Sequence, residues 1–247
     1  MSVLLPRWFA HRGGGVLAPE NTLAGIRLAA RLGYEAVEFD VMLSGDGTPV
    51  LIHDETLERT TNGKGPVAET PDAVLFSLDA GHGERIPRFV EAAVLCREIG
   101  LLANVEIKPS SGQEIRTAEV VARLTGEVWA GAAVQPLLSS FSPEAVAIAR
   151  DVVPHIRRGM LFETPPEDWL VVCRRLAATS LHCDANCITE DMLSVAIAHN
   201  IPVLCYTVNE QGQARKLFDR GVSGLFTDRL DVFMSETQAY KGLHLVR

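Results

Sequence analysis

Glu38 and Asp40 stand two apart in the run Glu35-Ala36-Val37-Glu38-Phe39-Asp40-Val41-Met42-Leu43, whose apolar and β-branched content predicts a strand. Alternate strand residues share a face, so both carboxylates point one way and Val37, Phe39 and Val41 point the other. Glu106 and Lys108 repeat this spacing at the end of a second apolar run, Leu101-Leu102-Ala103-Asn104-Val105-Glu106-Ile107-Lys108. Laid side by side, the two strands would bring three carboxylates together beside one lysine. Two bare carboxylates about 6 Å apart repel by roughly 3 kcal/mol at an effective dielectric near 20, so such a triad calls for a cation. Oxygen ligands alone favour one hard divalent ion, Mg²⁺ or Ca²⁺ with Mn²⁺ also admitted, over zinc.

Beyond Leu43, Ser44-Gly45-Asp46-Gly47 contains an Asp-Gly pair flanked by apolar alternation, a hairpin signal. It predicts a returning strand over Pro49 to Asp54. A two-residue Asp46-Gly47 turn sets His53 opposite Asp40, and a turn one residue earlier sets it opposite Glu38. Either register puts an imidazole within about 5 Å, Cβ to Cβ, of the acid pair.

Two further polar strings precede these strands, His11-Arg12-Gly13 and Pro19-Glu20-Asn21-Thr22. Taken singly, these residues have plain readings. A His-Arg pair near an N-terminus is a surface feature, and Asn21 or Thr22 caps the helix that follows. His53 would be a satisfied core histidine and Lys108 a solvated strand end. Taken together they describe metal-assisted cleavage of a phosphodiester. Two imidazoles can remove one proton and supply another near neutral pH, while a cation, Arg12 and Lys108 offset charge gathering on phosphate oxygens.

Eight strands are expected to position these groups: Trp8 to Ala10, Ala36 to Leu43, Leu101 to Lys108, Val134 to Phe141, Arg158 to Phe162, Ser180 to Ala185, Pro202 to Val208 and Gly224 to Asp228. Amphipathic stretches alternate with them, among them Thr22 to Leu32, Phe89 to Ile99, Pro143 to Val153, Glu190 to His199 and Glu210 to Arg220. Eight β/α units in 247 residues predict a (β/α)8 TIM barrel in one domain. His11, Asp40, Glu106, Lys108, Asn209 and Asp228 fall at or just after strand ends, where such barrels carry their sites. Residues 55–87 read as an insertion between strand 2 and its helix, with 55–67 as a loop over the site. His182 and Asp184 share a strand face, and His182 is expected to line the pocket. The tail from Lys241 to Arg247 carries no readable pattern.

The motifs resemble the glycerophosphodiester phosphodiesterase family, especially its bacterial cytosolic members, over nearly the whole chain. They stand here as His11-Arg12-Gly13-Gly14-Gly15, Ala18-Pro19-Glu20-Asn21-Thr22, Glu38-Phe39-Asp40-Val41, His53-Asp54 with Leu57-Glu58-Arg59-Thr60-Thr61-Asn62-Gly63, and Asn104-Val105-Glu106-Ile107-Lys108. The resemblance implies hydrolysis of glycerophosphodiesters to glycerol 3-phosphate and an alcohol. It also implies a Mg²⁺ or Ca²⁺ ion on Glu38, Asp40 and Glu106 with Glu20 nearby, and acid and base roles for His11 and His53. Arg12 and Lys108 are then the phosphate-binding residues, and Glu20, Asn21, Tyr206 and His182 line the pocket. Two departures stand out. The stretch Asp79 to Pro87 matches the family only at its ends, and Tyr206 stands where tryptophan is frequent. A phosphodiester lyase, or a lysophospholipase-D-like enzyme on the same barrel, is the alternative; an apolar mouth near 55–87 would mark it.

A net charge of −8 without a Lys/Arg run argues against a nucleic-acid partner. No stretch is long enough to span a bilayer, and Met1 to Phe9 is too short and too weakly apolar for a signal peptide. Five cysteines, an odd number, fit a reducing compartment better than a disulfide framework and suggest a cytoplasmic protein. A zinc clip of His182, Cys183 and Cys187 lacks a fourth ligand. The expected partner is a small glycerophosphodiester, with no stable membrane association; nothing in the sequence fixes the oligomeric state.

Overall fold

The computed structural model describes residues 5–236; the tail from Lys241 to Arg247 lies outside them. Eight parallel strands close into a barrel: β1 (Trp8–Ala10), β2 (Ala36–Leu43), β4 (Leu102–Ile107), β5 (Leu137–Ser140), β6 (Arg157–Phe162), β7 (Ser180–Asp184), β8 (Val203–Tyr206) and β9 (Gly224–Thr227). They pair in sequence order, and β1 closes the ring by pairing with both β2 and β9. Around the ring run α1 (Leu23–Arg31), α3 (Phe89–Ile99), α4 (Glu114–Val128), α5 (Pro143–Val152), α6 (Trp169–Arg175), α7 (Glu190–Ala198) and α8 (Gln211–Asp219). This is the expected (β/α)8 barrel.

The period-2 pattern sorts its side chains as anticipated. Val37, Phe39, Val41, Val105 and Ile107 join the main core between barrel and helices, whereas Phe9, Ala36, Leu102, Leu137, Leu204 and Phe226 plug the barrel's interior. Above that plug the interior turns polar. Parallel register places Glu38 beside Asn104 and Asp40 beside Glu106, and Glu106 beside Ser139 of the next strand, so the two acid-bearing strands are indeed neighbours.

The hairpin departs from both anticipated registers. The ninth strand, β3 (Pro49–Leu51), is antiparallel to β2 with Val41 opposite Leu51 and Leu43 opposite Pro49. The loop therefore holds three residues, Gly45, Asp46 and Gly47, between Ser44 and Thr48, whose backbones bond at 2.9 Å. Gly47 has φ 83°, the left-handed residue that ends a three-residue hairpin. Gly45 is drawn out of the turn because its N–H bonds to the Thr70 carbonyl at 2.9 Å. Asp72, heading the short α2 (Asp72–Leu75), accepts from both Ser44 Oγ and Thr48 Oγ1 at 2.6 Å. Carried on, this register would set His53 opposite Phe39 rather than either acid, but the paired strand ends at Leu51, two residues before His53.

Between β3 and α3 the chain builds a small core of its own. Leu57, Val67, Leu75, Ala80 and Ile86 pack on Met42, Val50 and Ile52. Most of this segment's large apolar side chains thus anchor it to the hairpin, while Val74 stays exposed.

Candidate active site

β2 and β4 deliver the acids. Ligand-competent oxygens of Glu38, Asp40 and Glu106 lie within 4.8 Å of one another, all buried. At that separation each pair of unit charges repels by roughly 3.5 kcal/mol at an effective dielectric near 20. Lys108 Nζ stands 3.5 Å from Asp40 and 3.9 Å from Glu106, and Arg12 Nε is 4.0 Å from Asp40. The three acids do not share this compensation equally. Burial pushes the Glu38 carboxyl up, and Asp40 and Glu106 add to it. Glu106 is raised by burial and by Asp40. Burial opposes the ionised form of Asp40 too, but Lys108, His53, Arg12 and the Asn21 amide together outweigh it and hold Asp40 below its ordinary range.

The loop after β1 is folded onto these acids. The Arg12 N–H donates to Glu38 Oε2 at 2.9 Å and the Gly13 N–H to the Glu38 carbonyl at 2.9 Å. Asn21 donates to Asp40 Oδ2 at 2.9 Å and accepts the Asp40 N–H at 3.1 Å. Arg12 and Asn21 both take left-handed backbone, φ 50° and 57°, a conformation costly for residues with a side chain and one that collects at functional sites. Thr22, rather than Asn21, caps α1, accepting the Gly25 N–H at 3.2 Å. The loop can lie this close because a Cβ on Gly14 would sit 2.9 Å from the Gly25 Cα.

Each histidine is held by a carboxylate. His11 Nδ1 is 2.6 Å from Asp228 Oδ1, and Asn209 steadies Asp228 through its side-chain N–H at 3.2 Å and by accepting the Asp228 N–H at 2.8 Å. His53 Nδ1 is 2.6 Å from Asp54 Oδ1. A carboxylate accepts, so Nδ1 carries the hydrogen in both rings and Nε2 is left for other work. His11 Nε2 stands 3.8 Å from Glu38 Oε2. The His53 imidazole is driven toward its neutral form by burial, with Lys108 and Arg12 acting the same way against Asp40 and Asp54.

A cavity of about 140 Å³ opens among these groups, lined by His11, Arg12, Glu38, Asp40, His53, Asn104, Glu106 and Lys108 on the polar side. Phe141, Leu161, Tyr206, Thr207 and Phe226 complete its wall. Three lining residues carry a buried polar atom with no hydrogen-bond partner among the described residues: Arg12 Nε, Glu38 Oε1 and Asn104 Oδ1. Buried polar groups are ordinarily satisfied, so these orphans point to a ligand.

A model of the glycerophosphoryl diester phosphodiesterase family matches residues 11–232. The chain belongs to this family. A glycerophosphodiester phosphodiesterase of Caldanaerobacter subterraneus subsp. tengcongensis is 30% identical to it over 230 residues, covering 89% of this chain and 92% of that one. Among solved structures, an Oleispira antarctica phosphodiesterase in complex with the product sn-glycerol-3-phosphate superposes with a TM-score of 0.90 at 36% identity, covering 94% of this chain and 96% of that one. A glycerophosphodiester phosphodiesterase from Agrobacterium tumefaciens gives 0.76 at 26% identity, covering 94% and 100%.

In this glycerophosphodiester phosphodiesterase the donor set fits a divalent cation. Three buried carboxylates converge, one with an unpartnered oxygen, and all donors are oxygen, as Mg²⁺ and Ca²⁺ prefer. No second cluster of His, Cys, Asp or Glu brings ligand atoms together among the described residues; Cys183 and Cys187 are free thiols.

Not every expected residue reaches the cavity. Glu20 and Asn21 stand behind it, bracing Arg12 and Asp40. Tyr206 lines it, its hydroxyl donating to the Phe162 carbonyl at 2.8 Å. His182 does not line it. It faces the barrel interior as its parity demands, but it is fully buried, with Nε2 2.9 Å from Ser180 Oγ and its ring 5.6 Å from Phe226. The residues 55–87 supply none of the lining, so the expected loop over the site is a loop beside it. Sequence reasoning missed Asp54 and Asp228 as histidine partners and Phe141 as a wall, although all three sit at or just beyond strand ends.

Proposed function

We propose that this enzyme hydrolyses glycerophosphodiesters such as glycerophosphocholine and glycerophosphoethanolamine to sn-glycerol 3-phosphate and an alcohol. His11 and His53 exchange the protons, and Glu38, Asp40 and Glu106 hold a Mg²⁺ or Ca²⁺ ion. The observation that carries this reading is that two imidazoles, each tied by Nδ1 to its own carboxylate, share one small cavity with a buried acidic triad. The Oleispira antarctica enzyme, in complex with sn-glycerol-3-phosphate, supports the product.

The residues divide the work. The attacking hydroxyl, from water or from the substrate's own glycerol 2-position, gives its proton to one Nε2, and the departing alkoxide takes a proton from the other. Attack by the 2-hydroxyl leaves a cyclic phosphate, which a water then opens to glycerol 3-phosphate with the two proton roles reversed. Asp228 and Asp54 keep both rings in the tautomer that allows this and stabilise the imidazolium that forms. Arg12 and Lys108 offset charge on the non-bridging oxygens, and Asn21 keeps Asp40 aimed at the cavity. A bound divalent ion would act as a Lewis acid on the phosphoryl group. Phe141 and Tyr206 offer aromatic faces to a head group, including a quaternary ammonium.

The acylated-substrate alternative is not favoured, because most apolar residues of 55–87 turn into their own core and none lines the cavity. No helix among the described residues is long and apolar enough to cross a membrane. The unpaired cysteines support a cytoplasmic setting, with 1–247 as one phosphodiesterase domain and 55–87 as the family insertion.

The test is release of glycerol 3-phosphate from glycerophosphocholine after chelation, and again with Mg²⁺, Mn²⁺ or Ca²⁺ restored. Activity should vanish and return, and soluble, folded His11→Ala and His53→Ala should retain less than about a hundredth of it, the order general acid–base catalysis contributes. Full activity in chelator would remove the metal role, and an active His11→Ala would remove that histidine.

A further inference from the structure

Arg59 lies outside the cavity, on the loop after β3, with its side chain 47% exposed. Its guanidinium nevertheless grips two carboxylates at once. Nε and Nη2 donate to Asp54 Oδ2 and Oδ1 at 2.6 and 2.9 Å. Nη1 and Nη2 donate to Glu20 Oε2 and Oε1 at 2.7 and 2.8 Å. Each carboxylate has a second partner that does line the cavity. Glu20 Oε1 accepts from Arg12 Nη1 at 3.0 Å, and Asp54 Oδ1 accepts from His53 Nδ1 at 2.6 Å. One planar fork thus joins the loop after β1 to the segment after β3 and closes an unbroken chain from Arg12 through Glu20, Arg59 and Asp54 to His53.

From this chain we infer that Arg59 is a positioning residue for the hydrolysis: it sets the distance and angle between the phosphate-binding Arg12 and the imidazole of His53. The inference rests on the roles proposed above for those two residues. His53 has no strand to hold it, since β3 ends at Leu51. Its ring is fixed through Asp54, and Asp54 is fixed by Arg59. Glu20 alone could meet Arg12 in several ways, because a single hydrogen bond leaves the carboxylate free to rotate. The two-point grip of Arg59 fixes its plane. His11 is supported differently, by Asp228 and the neutral Asn209, so the two sides of the site have independent braces. A lysine would keep the charge of Arg59 but could not hold two carboxylates by paired, coplanar N–H groups.

The experiment is steady-state hydrolysis of glycerophosphocholine by wild type, Arg59→Ala, Arg59→Lys, Asp54→Asn and Glu20→Gln. To these are added Arg59→Ala combined with each of the last two, and a thermal midpoint for every variant. Arg59→Ala should lower kcat by about tenfold or more, the scale of an ångström-level misplacement, and raise KM severalfold. Its midpoint should move by only about a few degrees, since exposed ion pairs contribute little to stability. Arg59→Lys should resemble Arg59→Ala. On the Asp54→Asn background, Arg59→Ala should cost less than about twofold further in kcat, and on Glu20→Gln less than about twofold further in KM, because coupled groups lose their effect together. Should Arg59→Ala fail to fold, Arg59→Lys and the two carboxylate variants still decide the matter. An active wild type whose Arg59 variants stay within twofold in kcat and KM, a fully active Arg59→Lys, or losses that multiply on both backgrounds would overturn the inference. An inactive wild type would instead overturn the function on which it rests.

Discussion

Asp228 reaches back across 217 positions to hold His11 at 2.6 Å, and its carboxyl is kept ionised against burial chiefly by the hydrogen bond from that ring. An asparagine there would lose the negative charge, and because the Asn209 side-chain N–H claims its one oxygen, it would turn an amide N–H toward His11 Nδ1 and select the other tautomer. Asp228→Asn should therefore reduce kcat by about a hundredfold or more while leaving the fold in place; glycerol 3-phosphate release together with circular dichroism checks both halves. At this scale the sequence was informative wherever a residue's chemistry travels with its neighbours. The acids two apart on a strand, the His53-Asp54 pair and the His11-Arg12 pair all stand at the cavity or against it. What escaped were partnerships between distant segments. Asp228 was visible as a polar strand end, but nothing near it named His11 as its partner. Arg59 could be seen as part of the motif after His53-Asp54 but not as a brace, since its partners depend on where Glu20 and Asp54 come to rest.

Among the elements, α1 shows how a local rule supports the site. Thr22 accepts the Gly25 N–H and donates its hydroxyl proton to the Pro19 carbonyl at 2.7 Å, so one side chain both starts the helix and folds back the loop carrying Glu20 and Asn21. Thr22→Ala should cost about 1 kcal/mol, within a usual span of about 0.5–2; urea unfolding at neutral pH measures it. Most strand and helix boundaries were legible because apolar periodicity switches cleanly between 2 and 3.6. The hairpin register was not, because Asp46-Gly47 reads locally as a two-residue turn. The decision belongs to Thr70 and Asp72, which pull Gly45 and flanking hydroxyls into a wider loop. His182 failed for a related reason. Parity along a strand tells which side of the sheet a residue faces, but not how deep in the barrel it lies.

For the molecule as a whole, that depth has a cost in acid. Burial pushes the His182 imidazole down to about 3 from an ordinary 6.5, so it stays neutral in the folded barrel. Above pH 6.5 it adds no pH dependence. Below, the unfolded chain takes up a proton that the folded one refuses, and stability should fall by about 1.4 kcal/mol per pH unit until about pH 3. Urea unfolding at pH 6 and pH 5 should show that much steeper a decline in wild type than in His182→Phe, and equal slopes would discount the residue. The closed barrel was readable from the eight β/α repeats, and β1 closes it by pairing with both β2 and β9. The register that sets Asp40 beside Glu106 also makes the acidic cluster a form of quality control. If β4 slipped one residue against β2, Glu106 would turn outward and Val105 inward, leaving two acids where three belong. A pair slipped in this way could not assemble the triad, so the three carboxylates report the register of β2 against β4.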